Sequence, residues 1–232
     1  VHYAHVYGRS RGSELSGAAG FVEAYSTDPD TDFHTMVAEM AKIPRKQAKI
    51  INLGMMYGMG VNKLSEQLDI PVDEAKTLVR QYHDRVPFVK GLMNGVMNRL
   101  NDRSSSGSIR SILGRKCRFD LWEPDTFAMN KALPYREAVQ EYGETTRLKR
   151  AYTYKALNRL IQASAADMTK KAMVDIYATG RVPLIQVHDE IAMSVSGLEE
   201  AEEISNIMKA AVPLEVPAQC DIEIGASWGE AE

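Results

Sequence analysis

Arg45-Lys46-Gln47-Ala48-Lys49-Ile50-Ile51-Asn52-Leu53-Gly54-Met55-Met56-Tyr57-Gly58 is the stretch on which fold and function both turn. It sets Arg45, Lys49, Leu53 and Tyr57 at intervals of four. At about 100° per residue, such steps drift slowly around a helix, so the four side chains share one long face. Two cations followed by an aliphatic and an aromatic group suit a polyphosphate that carries a base. The spacing equally fits a solvated basic face with Leu53 and Tyr57 in the core, because basic amphipathic helices are common. Gly54 and the Tyr57-Gly58-Met59-Gly60 tail weigh against a plain surface helix, where each glycine costs about 1 kcal/mol relative to alanine. Glycines there predict close approach of something flat or bulky.

Working outward, helices are expected over 35–40 and from Pro44 to Tyr57, with Pro44 suited to a first turn. The segment before them, Thr27-Asp28-Pro29-Asp30-Thr31, reads as a loop. Residues 1–20 read as a short helix and a Gly/Ser-rich connection, and 21–25 as another short helix. Ala75, Leu78, Val79, Tyr82 and Val86 give 72–86 a helical period, which Pro87 breaks. Phe88, Leu92, Met93, Val96 and Leu100 mark the next helix. Residues 101–108 are a polar loop, 108–119 a β-ribbon, and 144–178 a long helix. After Gly180 the period becomes two, with Ile185, Val187, Ile191, Met193 and Val195 alternating with polar or small residues. One uninterrupted strand would put Asp189 among the apolar side chains, which an unpaired carboxylate resists. A hairpin with its tip at His188-Asp189-Glu190 is therefore expected. A further helix within 194–212 and a closing strand over 219–224 complete an α+β fold, mostly helical with a small antiparallel sheet.

The chain has 232 residues, 44% hydrophobic and 25% charged, ordinary values for a globular protein. No apolar run approaches the roughly 20 residues of a membrane span, and no signal peptide is visible. Cys117 and Cys220 lack metal-ligand spacing and are expected as free thiols. The net charge of −3 divides unevenly. Residues 41–118 hold 15 Lys/Arg and 6 Asp/Glu, or +9; the rest hold 28 − 15 = 13 and 31 − 6 = 25, or −12. That asymmetry fits phosphate contact on one part of the surface, and also a solvated basic face.

The Arg-x3-Lys-x3-Leu-Gly-x2-Tyr-Gly pattern resembles the fingers-helix motif of family A DNA polymerases, the bacteriophage replicative type in particular. Other segments resemble that family in the same order. They are Asp32-Phe33-His34; Ile112-Leu113-Gly114-Arg115-Lys116; Ala156-Leu157-Asn158-Arg159-Leu160-Ile161-Gln162-Ala163-Ser164-Ala165; Gln186-Val187-His188-Asp189-Glu190; and the close, Gly225-Ala226-Ser227-Trp228-Gly229-Glu230-Ala231.

The resemblance implies template-directed nucleotidyl transfer from a dNTP to a primer 3′-hydroxyl, with primer-template DNA and dNTP as partners. It also implies two Mg²⁺ ions in the complete enzyme. His34, Arg45 and Lys49 would bind the triphosphate, and Lys49 would also stabilise or protonate the leaving pyrophosphate. Leu53 would pack near the incoming sugar and base, and Tyr57 near the templating base. His188, Asn158 and Gln162 would touch primer or template, and Arg115 a phosphate. Asp189 would be a metal ligand, with Glu190 its weaker catalytic neighbour. Many relatives carry an aromatic residue where this chain has Leu53, and commonly end in His where it has Glu232.

The family's first carboxylate motif, of the Asp-Tyr-Ser-x-x-Glu-x-Arg type, is expected upstream of Val1 together with the thumb. The chain therefore reads as a C-terminal fragment: 1–20 a remnant of the palm/fingers junction, 21–143 fingers, 144–232 the C-terminal part of the palm. Such a fragment is expected to be inactive alone and cytoplasmic, in the host cell if phage-encoded. Two alternatives stand beside this reading: a single-subunit RNA polymerase, and a non-catalytic DNA-binding or assembly piece of a split polymerase.

Overall fold

A computed structural model describes residues 1–10, 15–102, 104–126 and 130–231. Among them, helices come first: α1 (His2–Ser10), α2 (Ala18–Thr27), α3 (Phe33–Ala41), α4 (Arg45–Met56), α5 (Val61–Leu68), α6 (Val72–Arg85) and α7 (Pro87–Asn101). Pro87 opens α7 at its first turn, where its missing N–H leaves no bond unmade. Phe88, Leu92, Val96 and Leu100 recur along one α7 face and are all buried. Phe21 of α2 meets Phe33 and Phe88, each with ring centroids 5.2 Å apart, and joins three helices at one aromatic contact.

The loop over 27–31 is a turn, closed by the Thr31 N–H donating to the Asp28 carbonyl at 3.1 Å. Asp32 then caps α3, accepting from the His34 N–H at 2.8 Å and the Thr35 N–H at 3.4 Å. Pro44 sits one position outside its expected place, as the residue capping α4 rather than in the first turn.

The 108–119 ribbon is present as antiparallel β1 (Ser108–Arg110) and β2 (Lys116–Arg118), with Ile109 opposite Cys117. Next comes a three-stranded antiparallel sheet in the order β4 (Leu133–Pro134), β3 (Leu121–Pro124), β5 (Leu148–Arg150), with α8 (Tyr135–Tyr142) packed against it. The β3–β5 ladder crosses residue 143, where the fingers were expected to meet the palm.

The helix expected from residue 144 starts later. Gly143 has φ +89° and Tyr152 φ +60°, and β5 lies between them, so α9 runs only from Ala156 to Ala178. A hairpin of β6 (Ile185–Val187) and β7 (Glu190–Ala192) follows, then α10 (Leu198–Ala210). The expected closing strand over 219–224 does not form: no strand of the described residues pairs with that exposed segment. Both cysteines are free thiols. No helix of the described residues is long and apolar enough to cross a membrane. The α+β class holds.

Candidate nucleotide and nucleic-acid site

Helix α4 settles which of its faces is inside. Ala48, Ile51, Asn52 and Gly54 are buried, while Arg45, Lys49, Leu53 and Tyr57 are exposed, Leu53 by 43% and Tyr57 by 54%. The core reading of Leu53 and Tyr57 fails. Gly54 and Gly58 are required by the chain itself, whereas a Cβ on Gly60 would meet nothing within 4 Å. A Cβ on Gly54 would meet the Met59 sulfur at 3.3 Å. Gly58, with φ +69°, lets the chain turn back after α4 beneath the Tyr154 carbonyl.

Arg45 is held from behind. Its Nε donates to Asp32 Oδ2 at 2.7 Å and to Thr35 Oγ1 at 3.2 Å, and its Nη2 also pairs with Asp32. Nη1 has no partner among the described residues. Burial pushes the Asp32 carboxyl up, but hydrogen bonds from Arg45, the His34 N–H and Thr35 outweigh it and hold the pKa at about 2. The exposed Lys49 ammonium has no partner among the described residues. His34 Nδ1 receives the Asn52 amide Nδ2 at 2.9 Å. Burial lowers the His34 pKa, and the nearby Arg45 and Lys49 charges add to that against Asp32.

The end of α4 faces α9. Gln162 Nε2 donates to the Tyr57 hydroxyl at 3.0 Å, a contact between residues 105 positions apart. Leu53, Tyr57, Asn158 and Gln162 line a mainly apolar cavity of about 390 Å³ bounded by α1, α4, α7 and α9. Asn158 and Gln162, four apart on α9, thus open onto the same space as the flat end of the α4 row.

The expected hairpin tip is present. Val187 pairs with Glu190, leaving His188 and Asp189 as the two-residue turn, with His188 at φ +55°. Gln186 Nε2 donates to the His188 carbonyl and Trp228 Nε1 to Glu190 Oε1, the latter at 2.8 Å. Asp189 is exposed at the tip, and β7 packs on α9, the helix that also carries Gln162. Among the described residues no group of three or more His, Cys, Asp or Glu side chains could hold a metal ion. Mg²⁺ takes one or two carboxylates and fills the rest of its octahedron with phosphate oxygens and water. Asp189 fits as one such carboxylate, while Glu190 is already turned to Trp228.

Arg115 differs from a free phosphate-binding cation. Its Nε donates to Asp167 Oδ1 at 2.8 Å, and Asp167 is 1% exposed. Ser111 Oγ donates to the other Asp167 oxygen and accepts from the Arg115 N–H at 3.0 Å. Burial pushes the Asp167 carboxyl up; Ser111 and Arg115 outweigh this, leaving it below the usual range. One turn away, Ser164 Oγ donates to the Leu160 carbonyl at 2.6 Å, accepts from the Ile112 N–H at 3.1 Å and bonds the Tyr3 hydroxyl.

Sequence reading singled out neither Asn52, Asp167 nor Trp228, and treated Asp32 only as the start of a short motif. The available signal for Asn52 was its spacing, seven positions after Arg45 and three after Lys49, which sets it beside the cations on α4. Nothing local marks Asp167, and the closing motif contains Trp228 without giving it a role; their partners are 52 and 38 positions away. Glu232 lies outside the described residues.

The family model described as DNA polymerase family A matches residues 12–230. A DNA-directed DNA polymerase of Pseudomonas phage M6 is 33% identical over 271 residues, covering 100% of this chain and 36% of the relative. The thermostable DNA polymerase I of Thermus aquaticus is 29% identical over 237 residues, covering 95% and 26%. Among solved structures, the POL domain of Pol1 from M. smegmatis, in complex with DNA primer-template and dNTP, is similar at 31% identity and a TM-score of 0.65. That match covers 88% of this chain and 35% of the other. The chain thus spans between a quarter and two fifths of the length of these relatives. On the strength of the match over nearly its whole length, it belongs to DNA polymerase family A.

Proposed function

We propose that this chain carries the nucleotide-binding helix, part of the primer-template surface and one metal-binding carboxylate of a template-directed DNA polymerase. The observation that carries the reading is the exposed row Arg45, Lys49, Leu53, Tyr57, whose last member is bonded to Gln162 of α9. Cations at one end of that row and flat groups at the other match the two ends of a dNTP. Residues 21–143 serve as fingers and 144–232 as palm, with 1–20 at their junction and the β3–β5 ladder tying the two across residue 143.

The chemistry joins a primer 3′-oxygen to the α-phosphorus and releases pyrophosphate. Arg45 offers Nη1 to phosphate oxygens while Asp32 holds its other edge. Lys49, an unpaired ammonium, binds the same group and stabilises or protonates the leaving pyrophosphate. His34 adds an N–H donor. Leu53 meets the sugar and base, Tyr57 the templating base, and Asn158, Gln162 and His188 the primer terminus or nearby template. Mg²⁺ held by Asp189 together with phosphate oxygens and water would stabilise charge on the attacking and leaving oxygens. Glu190, tied to Trp228, supports the hairpin beside it.

One carboxylate does not clamp two ions, so we place the second acidic motif outside these residues and expect no synthesis from the 232-residue chain alone. In that state it acts as a DNA-binding piece, in a cytoplasmic setting. Primer extension by a longer polypeptide joining this chain to an upstream polymerase portion tests the reading. Asp189→Asn there lowers incorporation at least about 100-fold, for a group acting on the transition state. Unchanged extension by that variant, or extension by the isolated chain, would refute it.

A further inference from the structure

Asn52 has no role in the reading above, yet it is a buried polar residue of α4, 2% exposed, seven positions after Arg45 and three after Lys49 and so beside the cations on the helix. A buried amide needs partners, and this one finds His34, 18 positions earlier, with Nδ2 lying 2.9 Å from Nδ1. The amide Oδ1 is buried with no partner among the described residues.

Two N–H groups cannot face each other across a hydrogen bond, so an imidazole nitrogen receiving an amide NH₂ must carry the lone pair. That leaves the ring proton on Nε2. The reverse amide orientation, Oδ1 toward an Nδ1–H, would leave both amide N–H donors in place of one acceptor without a partner. It would also put the lone pair on Nε2 or make the ring a cation. The cationic ring is disfavoured by burial and by Arg45 and Lys49. At the other end of the ring's tether, Asp32 fixes the His34 backbone through its cap and holds Arg45.

Resting on the reading that the α4 row receives a triphosphate, we propose that Asn52 is a positioning residue that fixes His34 as the Nε2–H tautomer. The ring is thereby a neutral donor to a phosphate oxygen beside Arg45 and Lys49. A neutral N–H adds a hydrogen bond without a third positive charge to be desolvated before the ligand arrives.

The test uses the 232-residue chain with ¹⁵N-labelled histidine, His34 being assigned by the signals missing from His34→Gln. Near neutral pH the expected spectrum has a lone-pair nitrogen at Nδ1 and a protonated one at Nε2, and Mg²⁺–dATP shifts the Nε2–H signal. Asn52→Asp keeps the shape but supplies only acceptors, so the lone-pair signal at Nδ1 is lost. Asn52→Leu removes the donor, gives mixed tautomers, and weakens Mg²⁺–dATP about 10-fold, the value of one hydrogen bond to a charged group. Asn52→Gln, which restores an amide, recovers part of that loss. A wild-type His34 protonated on Nδ1 overturns the inference. So does a ring spectrum unmoved by Asn52→Asp, or affinity unmoved by Asn52→Leu while Lys49→Ala weakens binding. If Lys49→Ala also leaves affinity unchanged, the triphosphate reading itself fails.

Discussion

Arg115 shows how a residue's partners change what its replacement would do. As a free surface cation it would matter only to phosphate; paired with buried Asp167 it also holds the β1–β2 turn to α9. Removing it leaves a buried carboxylate with Ser111 as its remaining side-chain donor. Arg115→Ala is expected to lower stability by about 1–3 kcal/mol, below the full value of a buried pair because the Arg115 side chain is 60% exposed. Lys116→Ala, next to it and exposed, should stay within about 0.5 kcal/mol. Denaturant unfolding of the two variants makes the comparison, and equal effects would remove Asp167 from the account.

Asp32 gives a pH-dependent counterpart. Its folded pKa, about 2, lies below the ordinary 3.8, so the charged form binds its partners better than the neutral one. The resulting stabilisation is present in full above the ordinary value and disappears as pH falls through the folded one. Asp32→Asn keeps a cap acceptor and removes the charge. The wild-type advantage over that variant in thermal unfolding should therefore be constant above about pH 4 and shrink toward pH 2. An advantage that does not change over that window would show that the Arg45 pair adds nothing beyond the cap.

At the scale of elements, α4 works because its two faces have different tasks. Ile51 is fully buried and Leu53 is 43% exposed, two positions apart on the same helix. Ile51→Ala is expected to cost about 2–5 kcal/mol in thermal or denaturant unfolding, and Leu53→Ala less than about 1 kcal/mol. The reverse order would mean that the ligand-facing row is really the core-facing one.

The same two faces explain what the sequence made legible. Where one element carries its whole pattern, as in α4, α6, α7 and the β6–β7 hairpin, periodicity was enough. The turn at His188-Asp189 followed from the need to keep a carboxylate out of an apolar face. Short or partner-defined elements were not legible. α5 carries Val61, Leu64 and Leu68 at helical spacing, but over only eight residues, too short a stretch to stand out. β5 owes its conformation to β3, about 26 residues earlier, so Leu148–Arg150 read as the start of α9. The apolar alternation over 219–224 predicted a strand, but a strand needs a neighbour and none is present among the described residues. The exposed row of the site was legible from spacing. The groups behind it, Asn52 and Asp167, were not, because their partners are set by tertiary packing.

The whole molecule draws the proposed site from three separate stretches of sequence. α3 and its cap hold His34 and Asp32 beside the exposed row of α4, α9 carries Asn158 and Gln162, and the β6–β7 hairpin carries Asp189 at its turn. Helix α9 connects the last two groups, touching Tyr57 near its start and packing against β7 further along. Residues 41–118, which include α4, carry +9 and the rest of the sequence −12, an asymmetry that fits phosphate contact through the α4 part of the chain.

If the exposed cations of α4 hold the triphosphate of an incoming nucleotide, removing either one must weaken its binding. Equilibrium binding of Mg²⁺–dATP to the 232-residue chain, wild type against Lys49→Ala and Arg45→Ala, measures it most directly. Loss of a charge-assisted contact predicts affinity about 10- to 100-fold weaker in each variant, with the fold intact by circular dichroism. Equal affinity across wild type and both variants would contradict it.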